Sequence, residues 1–165
     1  MASTMSVDEY FDALIDKVRE DYANLWGFGE GNFHFSTFNP ENLSTMDSII
    51  QQKSRDFAIR IIGCYKYLIE EKHEQVMSKQ LLRCSTSIGA NTRESKNAQS
   101  RMDFLNKLNI ALKEADETEY WLDLLHETKY LDDKQFESLH SDCKELIAIL
   151  VTIIKKLKDN PKGQK

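Results

Sequence analysis

Proline and glycine are scarce in this chain, at two and six among 165 residues. So few breakers exclude turn-rich, collagen-like and low-complexity architectures and leave long helices as the expected element. Cysteine is scarce as well. Cys64, Cys84 and Cys143 are odd in number and lack CxxC spacing, which argues against a disulfide frame or a zinc site and for reduced thiols, small core residues of a cytoplasmic protein. Long apolar runs are missing. The longest, Leu146 to Ile154, is interrupted by Thr152 and falls far short of the ~20 residues a membrane span needs. No basic start followed by an apolar stretch opens the sequence, so no export signal is expected. What is present, 41% hydrophobic and 30% charged residues, is the mixture of one folded domain with room for an appendage.

The net charge of −5 is unevenly placed. Residues 1–45 hold eight acidic groups against Lys17 and Arg19, giving −6; the remainder carries 20 basic and 19 acidic residues, giving +1. Within the acidic piece, Ser6-Val7-Asp8-Glu9 reads as a capping box, and Tyr10, Phe11, Leu14, Ile15, Val18, Tyr22 and Leu25 follow at helical spacing over 6–26. Gly27, Gly29 and Gly31 end that amphipathic helix. Pro40 and the alternating Phe33 and Phe35 suit an extended linker over 36–47.

Four helices are predicted beyond it. The first, over 49–72, aligns Ile50, Phe57, Ile61, Cys64 and Leu68, with "EEKHE" as its solvated end. The second spans 75–98. Ser100 and Asp103 cap the third, which runs to about 128 with Phe104, Leu108, Ala111, Ala115, Thr118, Leu122 and Leu125 on one stripe. Asp132 and Gln135 cap the fourth, carrying Phe136, Leu139, Cys143, Leu146, Leu150, Ile153 and Leu157. Short connections make neighbours antiparallel. The expectation is all-α: an up-down four-helix bundle over 46–158, an extra acidic helix and linker over 1–45, and a flexible basic tail over 159–165.

The second helix contains "STSIGAN", small residues of poor helix propensity. A phosphate-cradling loop there would need a preceding strand and a GK[ST] ending, and has neither. An unbroken helix instead puts Met77, Leu81, Cys84, Ile88, Asn91, Ser95 and Ala98 on one stripe. Leu82, Ser85, Gly89 and Thr92 then form a small-residue strip that another backbone can approach closely. Lys79, Arg83 and Arg93 point away from the core.

At these residues the sequence resembles a known family. Ser78-Lys79-Gln80-Leu81-Leu82-Arg83, Ser87-Ile88-Gly89-Ala90-Asn91, Ala111-Leu112-Lys113-Glu114-Ala115 and Glu117-Thr118-Glu119-Tyr120-Trp121-Leu122 are similar to the bacterial 23S ribosomal RNA intervening-sequence proteins, whose relatives include accessory variability determinants of diversity-generating retroelements. The resemblance runs from about Ile49 to Leu157, with Cys84 and Thr92 as mild departures, and leaves out residues 1–45. It implies an antiparallel bundle assembled as a ring-like homopentamer, with nucleic acid, or a reverse-transcriptase complex in the retroelement branch, as partner.

The charge pattern fits a nucleic-acid partner. Lys79, Arg83, Arg93, Lys96, Arg101, Lys107 and Lys113 face only Glu94 and Asp103 over the same interval, a patch that could be an ordinary solvated face in one chain but that a ring would multiply into a field able to hold phosphates. Subunit contacts are expected at Leu82, Ser85 and Gly89, through the small-residue strip, and at Ile110, Trp121 and Leu124, because the third helix is apolar over too wide an arc for one partner.

Other chemistries read poorly. The run Glu114, Asp116, Glu117, Glu119, Asp123 and Glu127 suits an outer helix face supported by Lys113 to Glu117 better than paired catalytic carboxylates. Glu70-x-x-His73 and Glu137-x-x-His140 have the spacing of bundle metal ligands but lie near helix ends, so no metal, cofactor or catalytic residue is expected. The resulting expectation is a non-enzymatic, oligomeric, cytoplasmic protein that binds RNA or DNA through a basic surface. The alternatives are a scaffold for an acidic protein partner and, more remotely, a metal-dependent enzyme.

Overall fold

In the computed structural model the described residues are 40–159, with side chains described from Ile49 onward. The acidic helix expected over 6–26 lies outside them. Four helices are described: α1 (Pro40–Glu70), α2 (Met77–Ser95), α3 (Arg101–Glu127) and α4 (Asp133–Asp159). The sequence expectation of four helices holds, with shifted ends. α1 begins at Pro40 rather than near Ile49, since proline lacks only an N–H that the first helical position does not use. α2 stops at Ser95.

Each joint has an identifiable cause. Ser100 Oγ accepts the Asp103 N–H at 3.1 Å at the head of α3. At α4, Asp132 and Gln135 exchange backbone-to-side-chain hydrogen bonds of 2.7 and 3.1 Å, a closed capping box. The α3–α4 turn reverses through Lys129 at φ 67°, and the Tyr130 and Leu131 amides donate to the Leu125 carbonyl.

"EEKHE" is not wholly solvated. His73 takes φ 56° and turns the chain, which tucks Glu74 in at 7% exposure. Its carboxylate accepts the Val76, Met77 and Ser78 amides at 2.8, 2.9 and 2.6 Å. α2 therefore has an acidic cap from outside the helix, where the macrodipole favours negative charge.

The described helices contact one another in a ring, α1 with α2, α2 with α3, α3 with α4 and α4 with α1, without diagonal contacts. Cross-links fix the antiparallel sense. Glu94 pairs with Lys107 and Arg83 with Glu117 between α2 and α3; Lys53 pairs with Glu145 and Arg60 with Asp142 between α1 and α4. The core holds the predicted stripes: Ile50, Phe57, Ile61 and Leu68 from α1, Leu81 and Ile88 from α2, Leu108 to Leu125 from α3, and Leu146, Leu150 and Ile153 from α4. Each such side chain contributes roughly 1.5–3 kcal/mol by leaving water.

Candidate nucleic-acid interface

The small-residue strip of α2 turns out to be the seat for α1. Ser85 and Thr92 are fully buried, Ser54 Oγ lies 3.1 Å from Thr92 Oγ1, and a Cβ on Gly89 would meet the backbone and hydroxyl of Ser54 at 3.7 Å. The close approach expected between subunits at Ser85 and Gly89 is thus made within one chain, by the helix that precedes α2. Hydroxyls reconcile the strip with helix: Ser85, Thr92 and Ser95 donate to the carbonyls of Leu82, Gly89 and Thr92, so their polar atoms are satisfied without leaving the helical path.

Seating that strip against α1 turns the opposite face of α2 to solvent. Lys79, Arg83 and Arg93 are exposed there, Lys96 follows at the C-cap, and Lys113 is exposed on the neighbouring α3. The seven bases are not equivalent. Arg83 donates to Glu117 at 2.6 Å and to Gln80 at 3.2 Å. Lys107 donates to Glu94 at 2.6 Å, which holds its ammonium above the usual lysine range. Arg101 turns to the Leu157 carbonyl, clasping the start of α3 to the end of α4, where the helix dipole favours a cation. Among the described residues Lys79, Arg93, Lys96 and Lys113 form no ion pair.

The carboxylate run of α3 is no uniform solvated face. Glu117, expected to pair with Lys113, instead takes Arg83 and the Trp121 indole N–H, the latter at 3.2 Å. Glu119 is half-buried toward α4 and accepts His140 at 3.0 Å and Lys144 at 2.7 Å. Asp116 sits above the usual carboxylate range through burial and the charge of Glu119. Glu114 has one buried carboxylate oxygen without a partner among the described residues. None of this web was visible in sequence, because each link between helices joins residues far apart along the chain.

Of the other residues expected between subunits, Ile110 is 40% exposed, while Leu82 and Trp121 pack against the core and Leu124 is half-buried. Tyr120, which the sequence places on the same apolar strip, is 55% exposed, and Met102, 65% exposed, adds to the apolar exposed surface of α3.

Glu70 and His73 do not share a helix, His140 faces Glu119, and no cluster of three metal-ligating side chains occurs among the described residues. Burial pushes the Cys64 and Cys84 thiols up to about 11 and raises Cys143 well above the ordinary thiol value, so all three are poor nucleophiles at neutral pH. No described helix is long and apolar enough to cross a membrane.

A family model described as "23S rRNA-intervening sequence protein" matches residues 46–152. Among solved structures the chain is similar to a protein of unknown function from the S23 ribosomal protein family of Bacteroides thetaiotaomicron, with 56% identity and a TM-score of 0.66 over 67% of this chain and 98% of that chain. No curated protein matches it.

Proposed function

Because the chain belongs to the family of 23S rRNA-intervening sequence proteins, we propose that it is a non-enzymatic, oligomeric member that holds nucleic-acid phosphates on the outer face of α2 and the adjoining side of α3. The observation that carries this is the division of labour among the bases. Arg83, Arg101 and Lys107 are spent on contacts within the bundle, whereas Lys79 and Arg93 on α2, Lys96 at its C-cap and Lys113 on the neighbouring α3 are exposed without an ion pair among the described residues. Cations left unneutralised on a rigid face suit a polyanion, which releases counterions on binding.

Assembly enters through α3. Met102, Ile110 and Tyr120 are large, apolar and exposed on its outer side, and a second copy covering them would repeat the cations around the assembly and strengthen the field. No groove-reading helix or stacking platform is evident among the described residues, so affinity should track charge rather than base sequence.

The test is a gel-shift titration of a labelled RNA hairpin and a DNA duplex at several salt concentrations. Changing Lys79, Arg93, Lys96 and Lys113 together to glutamine should weaken binding to both and lower the salt slope by about one for each phosphate no longer neutralised, with the helical signal unchanged. Equal binding by the variant would remove the proposed face. A wild-type protein that ignores both probes would favour the acidic protein partner instead.

A further inference from the structure

A groove of about 550 Å³, open to solvent, runs where α1 meets the first turns of α4. Gly63, Cys64 and Tyr67 line it from α1, Lys134 and Leu139 from α4, and Leu131 from the turn between α3 and α4. Most of this lining is apolar. Leu131 and Leu139 belong to the core at 1% and 6% exposure, and Cys64 and Tyr67 pack against it, so the groove reaches down to core side chains. Gly63 leaves the α1 wall low. A Cβ there would meet nothing within 4 Å, and no close approach of another helix calls for a glycine at that position.

The polar groups around the groove divide into those already engaged and one that is not. Arg60 donates to the Ser138 carbonyl and hydroxyl at 3.3 and 2.6 Å and pairs with Asp142. Gln135 is held in the capping box with Asp132. The carboxylates next to Lys134 in sequence are also occupied, Asp132 by the Gln135 amide and Asp133 by His126 at 2.8 Å. Lys134 is exposed and forms no ion pair among the described residues. Its charge is left for something else.

We propose that the groove binds a small amphipathic anion, with its apolar body against Leu131, Leu139 and Tyr67 and its anionic group at Lys134. The volume lies within the range of about 300–1,000 Å³ that small-molecule sites occupy, and a mainly apolar lining with a few fixed polar groups is their usual character. One available cation suits one anionic group. A polyanion would need a row of them, so this site differs in chemistry from the basic face of α2, a helix that makes no contact with α4. The inference does not depend on nucleic-acid binding.

Two dyes with the same apolar body test it on the full-length protein: anilinonaphthalene sulfonate, which carries the anion, and phenyl naphthylamine, which lacks it. Fluorescence titration should show the sulfonate binding once per chain and at least about fivefold more tightly than the neutral dye. Lys134→Glu should weaken the sulfonate about tenfold or more and leave the neutral dye nearly unaffected. Gly63→Phe, which puts a ring where the wall is low, should remove binding of both dyes while the helical signal stays unchanged. Equal affinities for the two dyes would overturn the proposal, as would sulfonate binding that survives Gly63→Phe, whichever surface then holds it. If Gly63→Phe fails to fold, the exposed Lys134→Glu decides alone, and undiminished sulfonate binding by that variant overturns the site.

Discussion

Glu74 shows how much one side chain can settle. Burial opposes its charge, but three backbone amides and the Ser78 hydroxyl outweigh that cost and hold its carboxyl below the usual range. A carboxyl lowered on folding stabilises the protein above its unfolded value of about 4.3, and that contribution is lost as pH falls through the lower folded value. Glu74→Gln should therefore cost about 1 kcal/mol at pH 7, with the gap to wild type closing in acid. Urea melts at a series of pH values would check both. The sequence hid this residue, because a glutamate in a charged run looks solvated until the left-handed turn at His73 is known.

At the scale of elements, two glycines sit in helices for different reasons. A Cβ on Gly63 would meet nothing within 4 Å, and one on Gly89 would only touch Ser54 at 3.7 Å. Alanine at Gly63 should raise stability by about 0.5–1 kcal/mol by raising helix propensity, and alanine at Gly89 should be accommodated. Leucine at Gly89 should cost about 1–3 kcal/mol by forcing α1 away from α2. Thermal melts of the three variants would separate these outcomes. Lys129, at φ 67°, should prefer glycine by about 1 kcal/mol. The helices themselves were legible because caps and stripes are local: Ser100 with Asp103, Asp132 with Gln135, and Leu108 to Leu125 needed no knowledge of neighbours. The role of the small strip was not, since periodicity tells which residues share a face but not which helix arrives there.

The whole molecule repeats that division. Family and bundle could be read from short motifs, whereas the working state of each cation could not, because Arg83 finds Glu117 across 34 residues and Arg101 finds Leu157 across 56. In the proposed function, assembly would turn one basic face into a larger field. Ile110→Glu with Tyr120→Glu should reduce the mass measured by light scattering to that of a single chain and weaken binding of long RNA more than of short. The ring of helices also bears on how the fold is reached. Three of its seams join helices adjacent in sequence. The fourth, between α1 and α4, closes with Lys53 meeting Glu145 over 92 residues and Arg60 meeting Asp142 over 82, so it carries the largest loop-closure entropy. That seam should zip last and part first, and Glu145→Gln should speed unfolding in stopped-flow while leaving the refolding rate nearly unchanged.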